Sequence, residues 1–237
     1  MTAETIRIPA RFNGPPGSGN GGYSCGLLAG LLGAEVAEVS LRSPPPLERP
    51  LAVRREGATV RVLDGEMLVA EAAPAELVLD IPGAVSTKEA EEAARAGYER
   101  WAGKHPFPTC VVCGPRREDG DGYRIFPGPL GDGRYAAGWI PEPSLADEGG
   151  RVRPECTWAA LDCPTSAPVV NFGEGPPAML ARLSADLRGP VAVGRPHAIV
   201  SWPVAVDGRK RQAGAALFDE RGALLAASRA LWIELRR

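Results

Sequence analysis

The sequence has little of what several large classes of protein require. It holds 27 Lys and Arg against 29 Asp and Glu, a formal net charge of −2. Nucleic-acid binding needs a positive surplus to neutralise phosphates, so we expect no nucleic-acid partner. The longest uncharged apolar run, from Gly26 to Ala34, is far shorter than the roughly 20 residues that span a bilayer, so we expect no membrane partner. The stretch from Met1 to Phe12 lacks the basic and apolar regions of a secretory signal, and we therefore expect a cytoplasmic protein.

The chain also lacks the short motifs that indicate a cofactor or an activated nucleophile. It has no phosphate-binding loop, no dinucleotide fingerprint and no nucleophile elbow. The segment GPPGSGNGG contains Gly-x-Gly, but it has neither the Lys-Ser/Thr ending nor a buried parallel strand before it. We therefore expect no cofactor.

Cysteine and histidine are scarce, with five cysteines and two histidines. In a chain without an export signal, the cysteines indicate free thiols. Cys110 and Cys113 form a Cys-x-x-Cys followed by glycine, which matches one knuckle of a zinc ribbon. No second knuckle supplies the ligands that a tetrahedral site needs, so we expect a plain turn and no metal. Zinc remains an alternative if folding brings other ligands close, the candidates being Cys156, Cys163, His105 and His197.

Glycine, in contrast, is abundant in residues 12–33, FNGPPGSGNGGYSCGLLAGLLG. This stretch predicts a loop followed by an uncharged helix that is buried on nearly every side. Gly22, Gly26 and Gly30 recur at a spacing of four, so one face of the helix is bare backbone that another element can approach closely. For Gly26 and Gly30 we expect that element to be a strand of the sheet.

The same order of predicted elements occurs twice. In residues 4–80, an alternating segment precedes the glycine loop and helix, and strands follow at LAVRR, ATVRVL, MLVAEAA and ELVLDI. In residues 122–237, the strand RYAAGWI and a long loop precede the nearly uncharged helix ECTWAALDC. Four strands follow at MLARLSADL, HAIVSWPVAV, RQAGAALF and ALLAASRALWIEL. The repeat predicts an α+β fold in which each of two units wraps a central buried helix in an antiparallel sheet.

The segment between the repeats predicts a surface helix. Ser86 and Glu89 form a capping-box signature at its start, and small or aromatic residues recur on one face, namely Ala90, Ala93, Ala94, Gly97, Tyr98 and Trp101. We expect this helix to pack on the outside of the sheet. The predicted organisation is one unit at residues 1–83, a linker at 84–121 and a second unit at 122–237.

Three stretches, GNGGYSCGLLA (19–29), WAALDCPTSAP (158–168) and GALLAASRALWI (222–233), resemble the double hotdog proteins of the acyl-CoA thioesterase-like superfamily. The resemblance covers nearly the whole chain. It implies two hotdog units whose sheets join edge to edge within one chain. It also implies a hydrolase acting on acyl thioesters of coenzyme A or acyl carrier protein, and association into a homodimer stays open.

The resemblance assigns the first site to the start of the first helix. Asn20, Gly21, Gly22 and Tyr23 would face the thioester carbonyl there. A helix start presents amides without intrahelical partners, and glycine lets a carbonyl oxygen approach them. Asn20 would either cap the helix or donate its side-chain amide to the substrate.

The second site is Asp162, at the place where related thioesterases carry an aspartate that orients the attacking water. It is the only charged residue between Glu155 and Glu174, and a carboxylate in an apolar helix is costly unless it is hydrogen-bonded or catalytic. Those relatives add a threonine or serine and a glutamine. Here the next strand offers Ser184 or Asp186, and the last strand has no glutamine.

The missing glutamine leaves two alternatives open. One is a non-catalytic acyl-binding or assembly module of the same fold. The other is a hotdog hydratase, which needs an Asp/His pair as acid and base. Only His105 and His197 are present, and neither lies at the expected kind of position. Glu155 is a spare carboxylate that either serves in place of Asp162 or complements the start of its helix.

Overall fold

The computed structural model describes residues 4–170 and 176–236, which form one sheet of 11 strands and three α-helices. The helices are α1 (Gly21–Leu32), α2 (Thr87–Trp101) and α3 (Pro154–Val170). The strands are β1 (Thr5–Ile6), β2 (Val36–Leu41), β3 (Leu51–Glu56), β4 (Thr59–Asp64), β5 (Met67–Pro74), β6 (Gly128–Pro129), β7 (Tyr135–Trp139), β8 (Ala178–Leu187), β9 (His197–Asp207), β10 (Lys210–Phe218) and β11 (Leu224–Glu234). Every pairing between them is antiparallel.

The sheet contains the predicted repeat. Its spatial order is β1-β3-β4-β5-β2-β8-β11-β10-β9-β7-β6. Apart from the edge strand β6, the second half has the order of the first half in reverse. The two halves join where β2 pairs with β8, with Val39 opposite Leu183. The prediction of two units that share one continuous sheet is therefore confirmed, and we propose that the units extend over residues 1–83 and 122–237, with 84–121 between them.

The first helix begins and ends where its sequence predicts. The Asn20 side chain accepts a hydrogen bond from the Tyr23 amide at the N-terminus, and Gly33 adopts a left-handed conformation (φ 70°) at the C-terminus. The third helix starts at Pro154, one residue before its predicted start at Glu155, and runs past Cys163 to Val170, with Pro164 and Pro168 inside it. Thr165 and Ser166 each donate a side-chain hydrogen bond to a carbonyl three residues earlier, at 2.6 Å.

Glycine lets α1 and α3 pack backbone to backbone. A methyl group at Gly26 would lie 2.5 Å from Cα of Glu155 and 2.9 Å from Cβ of Trp158. Gly22 faces Asp162 and Ala159 in the same way, whereas Gly30 has no heavy atom within 4 Å of the position where its Cβ would stand. The expectation that Gly26 and Gly30 pack on the sheet is therefore wrong. Gly22 and Gly26 lie against the second buried helix because both helices occupy the same side of the sheet.

The linker helix α2 covers the opposite side of the sheet, as predicted. Its buried residues are Ala90, Ala93, Gly97 and Trp101, and Ser86 caps it by accepting from the Glu89 amide. Side chains along β9 point alternately to the two faces of the sheet. Ala198 and Val200 therefore pack with the residues of α2, whereas Ile199 between them belongs to the core around α1 and α3. Tyr98 is the exception on the predicted face, at 40% exposed.

Two strand predictions differ from the structure. Residues 76–81 (ELVLDI) were expected to pair but lie outside the sheet, and Val78 is 79% exposed. The position beside β5 belongs instead to β2, which the sequence analysis did not identify. The alternating segment at the N-terminus pairs only over Thr5–Ile6. In the described part of the chain, no helix is both long and apolar enough to cross a membrane.

The contact between the two buried helices can be tested at its glycines. We expect Gly26→Ala to lower the free energy of unfolding, because overpacking costs about 1–3 kcal/mol and a helix-propensity gain of at most about 1 kcal/mol does not offset it. Gly30→Ala should keep or raise stability, since its added methyl meets open space. Urea denaturation of both variants measures the difference. Equal stability would show that α1 and α3 do not pack as closely as described.

Candidate active site

The start of α1 is held in place by the loop before it. The Asn20 amide donates to the Phe12 carbonyl at 2.8 Å, and the Gly19 amide donates to the Pro45 carbonyl at 2.8 Å. Within the helix, the Tyr23 amide donates to Asn20 Oδ1 at 2.9 Å and the Ser24 amide to the Asn20 carbonyl at 3.0 Å. Asn20 is thus the N-cap, which is one of the two roles the sequence left open. The Gly21 amide has no acceptor within residues 4–170 and 176–236.

Asp162 reaches this helix start from α3. Its Oδ2 accepts hydrogen bonds from the Gly22 amide at 2.8 Å and from Asn20 Nδ2 at 3.2 Å. Because Asn20 Oδ1 is fixed by the Tyr23 amide, Nδ2 must face the carboxylate. The two places that the sequence singled out separately, 142 residues apart, are therefore one hydrogen-bonded group.

One oxygen of this carboxylate is not used by the fold. Asp162 is 2% exposed, and its Oδ1 is buried with no hydrogen-bond partner among the described residues. Burial raises the pKa of Asp162 to about 7, although the Gly22 amide and the Asn20 amide oppose that rise by stabilising the charged form. A carboxylate with a near-neutral pKa and an available oxygen can accept a proton from water or a substrate.

A cavity of about 420 Å³ opens beside this group. Gly21, Asn20 and Asp162 form part of its wall, and most of the remaining wall is apolar, including Leu41, Phe107, Met179, Leu180, Trp232 and Ile233. An apolar cleft of this size with a few convergent polar groups is typical of a small-molecule site. The cavity can therefore hold an apolar chain with a polar reacting group next to Asp162.

The other predicted residues lie elsewhere. The Tyr23 side chain stacks on Phe12, with ring centroids 3.9 Å apart, and Tyr23 contributes to the site only through the amide that holds Asn20. Ser184 donates to Glu38 at 3.1 Å, Asp186 accepts from Arg188 at 2.7 Å, and Glu155 accepts from Arg153 at 3.0 Å. None of Ser184, Asp186 and Glu155 is part of the cavity wall as formed by the described residues.

The structure adds residues that the sequence analysis did not place in the site. Cys110, Cys113 and Cys163 line the cavity, and their Sγ atoms lie within 4.8 Å of one another. Hydrogen bonds from the Cys113 and Cys163 thiols lower the pKa of the Cys110 thiol despite its burial. Two sequence signals pointed to Cys163, namely its position directly after Asp162 and its place among the candidate ligands that could join Cys110 and Cys113.

His105 also lines the cavity. Its Nδ1 accepts a hydrogen bond from the Phe107 amide at 3.1 Å, so the neutral ring carries its proton on Nε2. Burial lowers the pKa of His105 and favours this neutral form. His197 lies apart, with Nδ1 2.8 Å from the Arg195 carbonyl and its ring beside Trp139.

Comparison with solved structures identifies the architecture. A hot dog fold protein of unknown function from Alicyclobacillus acidocaldarius matches with TM-score 0.62 and 11% identity, over 98% of this chain and 93% of that chain. A candidate thioesterase from Novosphingobium aromaticivorans matches with TM-score 0.62 and 12% identity, over 98% and 95%. The tesB protein of Mycobacterium avium subs paratuberculosis matches with TM-score 0.59 and 14% identity, over 97% and 91%. The chain thus has the double hotdog fold that its sequence predicted.

Comparison of the sequence finds no matching family model and no matching curated protein. Because the structural likenesses are all at low identity, they establish the fold alone. What the cavity does must be argued from its own residues.

The site can be tested through its cap. Asn20→Ala removes the acceptor of the buried Tyr23 amide and one of the two donors to Asp162. Ser86→Ala, at the exposed start of α2, removes a cap and nothing else and should cost about 1 kcal/mol. We expect Asn20→Ala to cost more in urea denaturation, because a buried group left without a partner adds about 1–3 kcal/mol. Equal costs would contradict the described coupling of Asn20 to Asp162.

Proposed function

We propose that this chain binds an acyl thioester in the cavity and hydrolyses it, acting on acyl-CoA or on acyl carrier protein. The observation that carries the proposal is the Oδ1 atom of Asp162, which is buried without a hydrogen-bond partner among the described residues and belongs to a side chain that lines the cavity together with Gly21. Burying a carboxylate oxygen without a partner is costly and contributes nothing to the fold. In a hydrolase, the same oxygen is the base that the reaction needs.

The reaction proceeds in two steps from these groups. Asp162 Oδ1 accepts a proton from a water molecule as the water oxygen bonds to the thioester carbonyl carbon, and the Gly21 amide donates to the resulting oxyanion. The carbon–sulfur bond then breaks, and the leaving thiolate takes the proton from Asp162. One water is consumed, and the products are a carboxylic acid and a thiol. The hydrogen bonds from Gly22 and Asn20 keep the carboxylate in position throughout.

Two further observations support this assignment. The apolar wall, which includes Leu180, Met179 and Trp232, suits the hydrocarbon part of an acyl group. Among proteins of similar structure, one is described as a candidate thioesterase and another as a tesB protein.

The five free cysteines accord with a cytoplasmic location, where thiols stay reduced. The proposal allows two chains to associate into a homodimer but does not require it.

A second candidate function is hydration of a 2-enoyl thioester. The observation that favours it is the presence of His105 and Asp162 in the wall of one cavity, because hotdog hydratases need such a pair. In that reaction water adds across the carbon–carbon double bond and the carbon–sulfur bond stays intact.

Asp162→Asn tests the leading proposal. The substitution nearly preserves shape and can keep the hydrogen bonds from Gly22 and Asn20, but it removes the basic oxygen. We expect thiol release from a panel of acyl-CoA substrates to fall by about 10²–10⁴-fold, the usual contribution of a general base. Substrate binding and melting temperature should change little. Turnover and melting are measured on the same purified sample.

Glu155→Gln is the matched control, since it makes the same acid-to-amide change on the same helix outside the cavity wall. It should keep full turnover. Unchanged turnover in Asp162→Asn would remove Asp162 from the mechanism. If several acyl-CoA substrates bind to the wild-type protein and none is hydrolysed, the chain is a non-catalytic acyl-binding module instead.

A 2-enoyl thioester separates the two candidate reactions. Under the leading proposal, free thiol appears, the double bond of the acid product survives, and His105→Ala retains most of this activity. Hydration would instead consume the enoyl absorbance without releasing thiol, and His105→Ala would abolish it. Parallel assays of thiol and enoyl absorbance in the same reaction distinguish these outcomes.

A further inference from the structure

We infer that Cys110, Cys113 and Cys163 bind one zinc ion, with the fourth coordination position open to the cavity. The inference goes beyond the proposed hydrolysis and does not depend on it, because it is argued from the arrangement of the three sulfur atoms. Zinc is the metal that combines tetrahedral geometry with thiolate ligands and takes no part in redox chemistry.

The spacing of the sulfurs fits a tetrahedral zinc site. With zinc–sulfur bonds of about 2.3 Å, two ligands of a tetrahedral site lie about 3.8 Å apart. The Sγ atoms of Cys110 and Cys163 are 3.8 Å apart, and all three Sγ atoms lie within 4.8 Å of one another. A disulfide would require two of these atoms to approach to about 2.05 Å. The existing positions therefore need little adjustment for an ion at their centre.

The turn that carries Cys110 and Cys113 has the form of a ligand-holding knuckle. The Gly114 amide donates to the Cys110 carbonyl at 2.9 Å and closes the turn. A side chain at Gly114 would lie 2.6 Å from the Cys110 nitrogen, so only glycine permits so tight a turn.

Backbone hydrogen bonds fix this turn against the core. The Val111 amide donates to the Asn13 carbonyl at 2.9 Å, while the carbonyls of Val111 and Val112 accept from Tyr123 at 2.7 Å and Ile125 at 2.9 Å. The turn is therefore held between the loop before α1 and the start of the second unit. Its two sulfurs face Cys163, which α3 presents from the other side. The expectation of a plain turn without a metal does not account for this convergence.

The donor set leaves one position for a ligand that is not a cysteine. No fourth Cys, His, Asp or Glu of the described residues joins the three sulfurs within 4.8 Å. Sites with three protein ligands and an exchangeable fourth position are typical of catalytic zinc. All three cysteines line the cavity that contains Asp162, and Asn20 Nδ2 lies 3.9 Å from Cys110 Sγ, 3.8 Å from Cys163 Sγ and 3.2 Å from Asp162 Oδ2. The open position therefore faces the substrate space.

Metal content tests the inference directly. The full-length chain, purified without a histidine tag and without chelators, should contain about one zinc per chain by mass spectrometry of the metal. Cys163→Ser and Cys113→Ser should each lower zinc to background. Cys156→Ser is the matched control, because Cys156 lies on α3 like Cys163 and is buried, but it is outside the cluster, so this variant should keep its zinc.

Replacement of zinc by cobalt(II) provides a readout that does not depend on variants. The cobalt protein should show thiolate-to-metal charge transfer in the near ultraviolet and the intense visible bands of a tetrahedral ion. Adding coenzyme A as a free thiol should shift the visible bands, since it can enter the open position. An unchanged spectrum would overturn the open fourth position.

Other results would overturn the zinc site itself. These are wild-type protein with no zinc and five titratable thiols, a disulfide between any two of the three cysteines, or zinc that Cys156→Ser removes and Cys163→Ser does not. Asp162→Asn separates the two proposals, because it should lose hydrolysis and keep its zinc. If that variant keeps both, the zinc site stands and the proposed role of Asp162 fails.

Discussion

The close packing of α1 on α3 governs how the two units meet and where the candidate site forms. Two buried helices on one side of a shared sheet must touch, and the glycine face of α1 lets their backbones meet without side chains between them. This approach brings Asp162 of one unit within hydrogen-bond distance of the helix start of the other. A larger residue at Gly22 would separate the helices, and the carboxylate would lose the amide that it accepts from. The packing of the two helices therefore also forms the candidate site.

The buried carboxylate combines a structural and a chemical role because its two oxygens are in different surroundings. Oδ2 completes the N-terminus of α1, where the helix dipole favours a negative charge. Oδ1 has no such partner, and burial keeps the pKa near 7. An acid with both oxygens hydrogen-bonded would be more stable and too weak a base. Because only Oδ2 is hydrogen-bonded, the fold holds the carboxylate in place while Oδ1 can still react.

Three segments distant in sequence converge at the cavity: the start of α1, the turn that carries Cys110 and Cys113, and the middle of α3. Asn20 connects them, since its amide nitrogen lies close to Asp162 and to two of the sulfurs. Each segment contributes a different chemistry, namely an uncommitted amide, a pair of thiols, and a carboxylate next to a third thiol. None of the segments alone would make a site.

Features that depend only on neighbouring residues could be predicted from the sequence. The cap at Asn20, the cap at Ser86, the alternation of the strands and the duplicated order of elements are local patterns, so each could be predicted. Asp162 stood out as the only charged residue between Glu155 and Glu174. Which surfaces meet could be seen only in the folded chain. A bare glycine face indicates that another element approaches closely, but not whether that element is a strand or a helix. Residues 36–41 and residues 76–81 both show strand-like alternation, yet only residues 36–41 form a strand of the sheet. In the same way, nothing local links Cys163 to a turn 50 residues earlier. Contacts between distant segments depend on how the whole chain encloses its apolar surface, and that information is not carried by any one stretch.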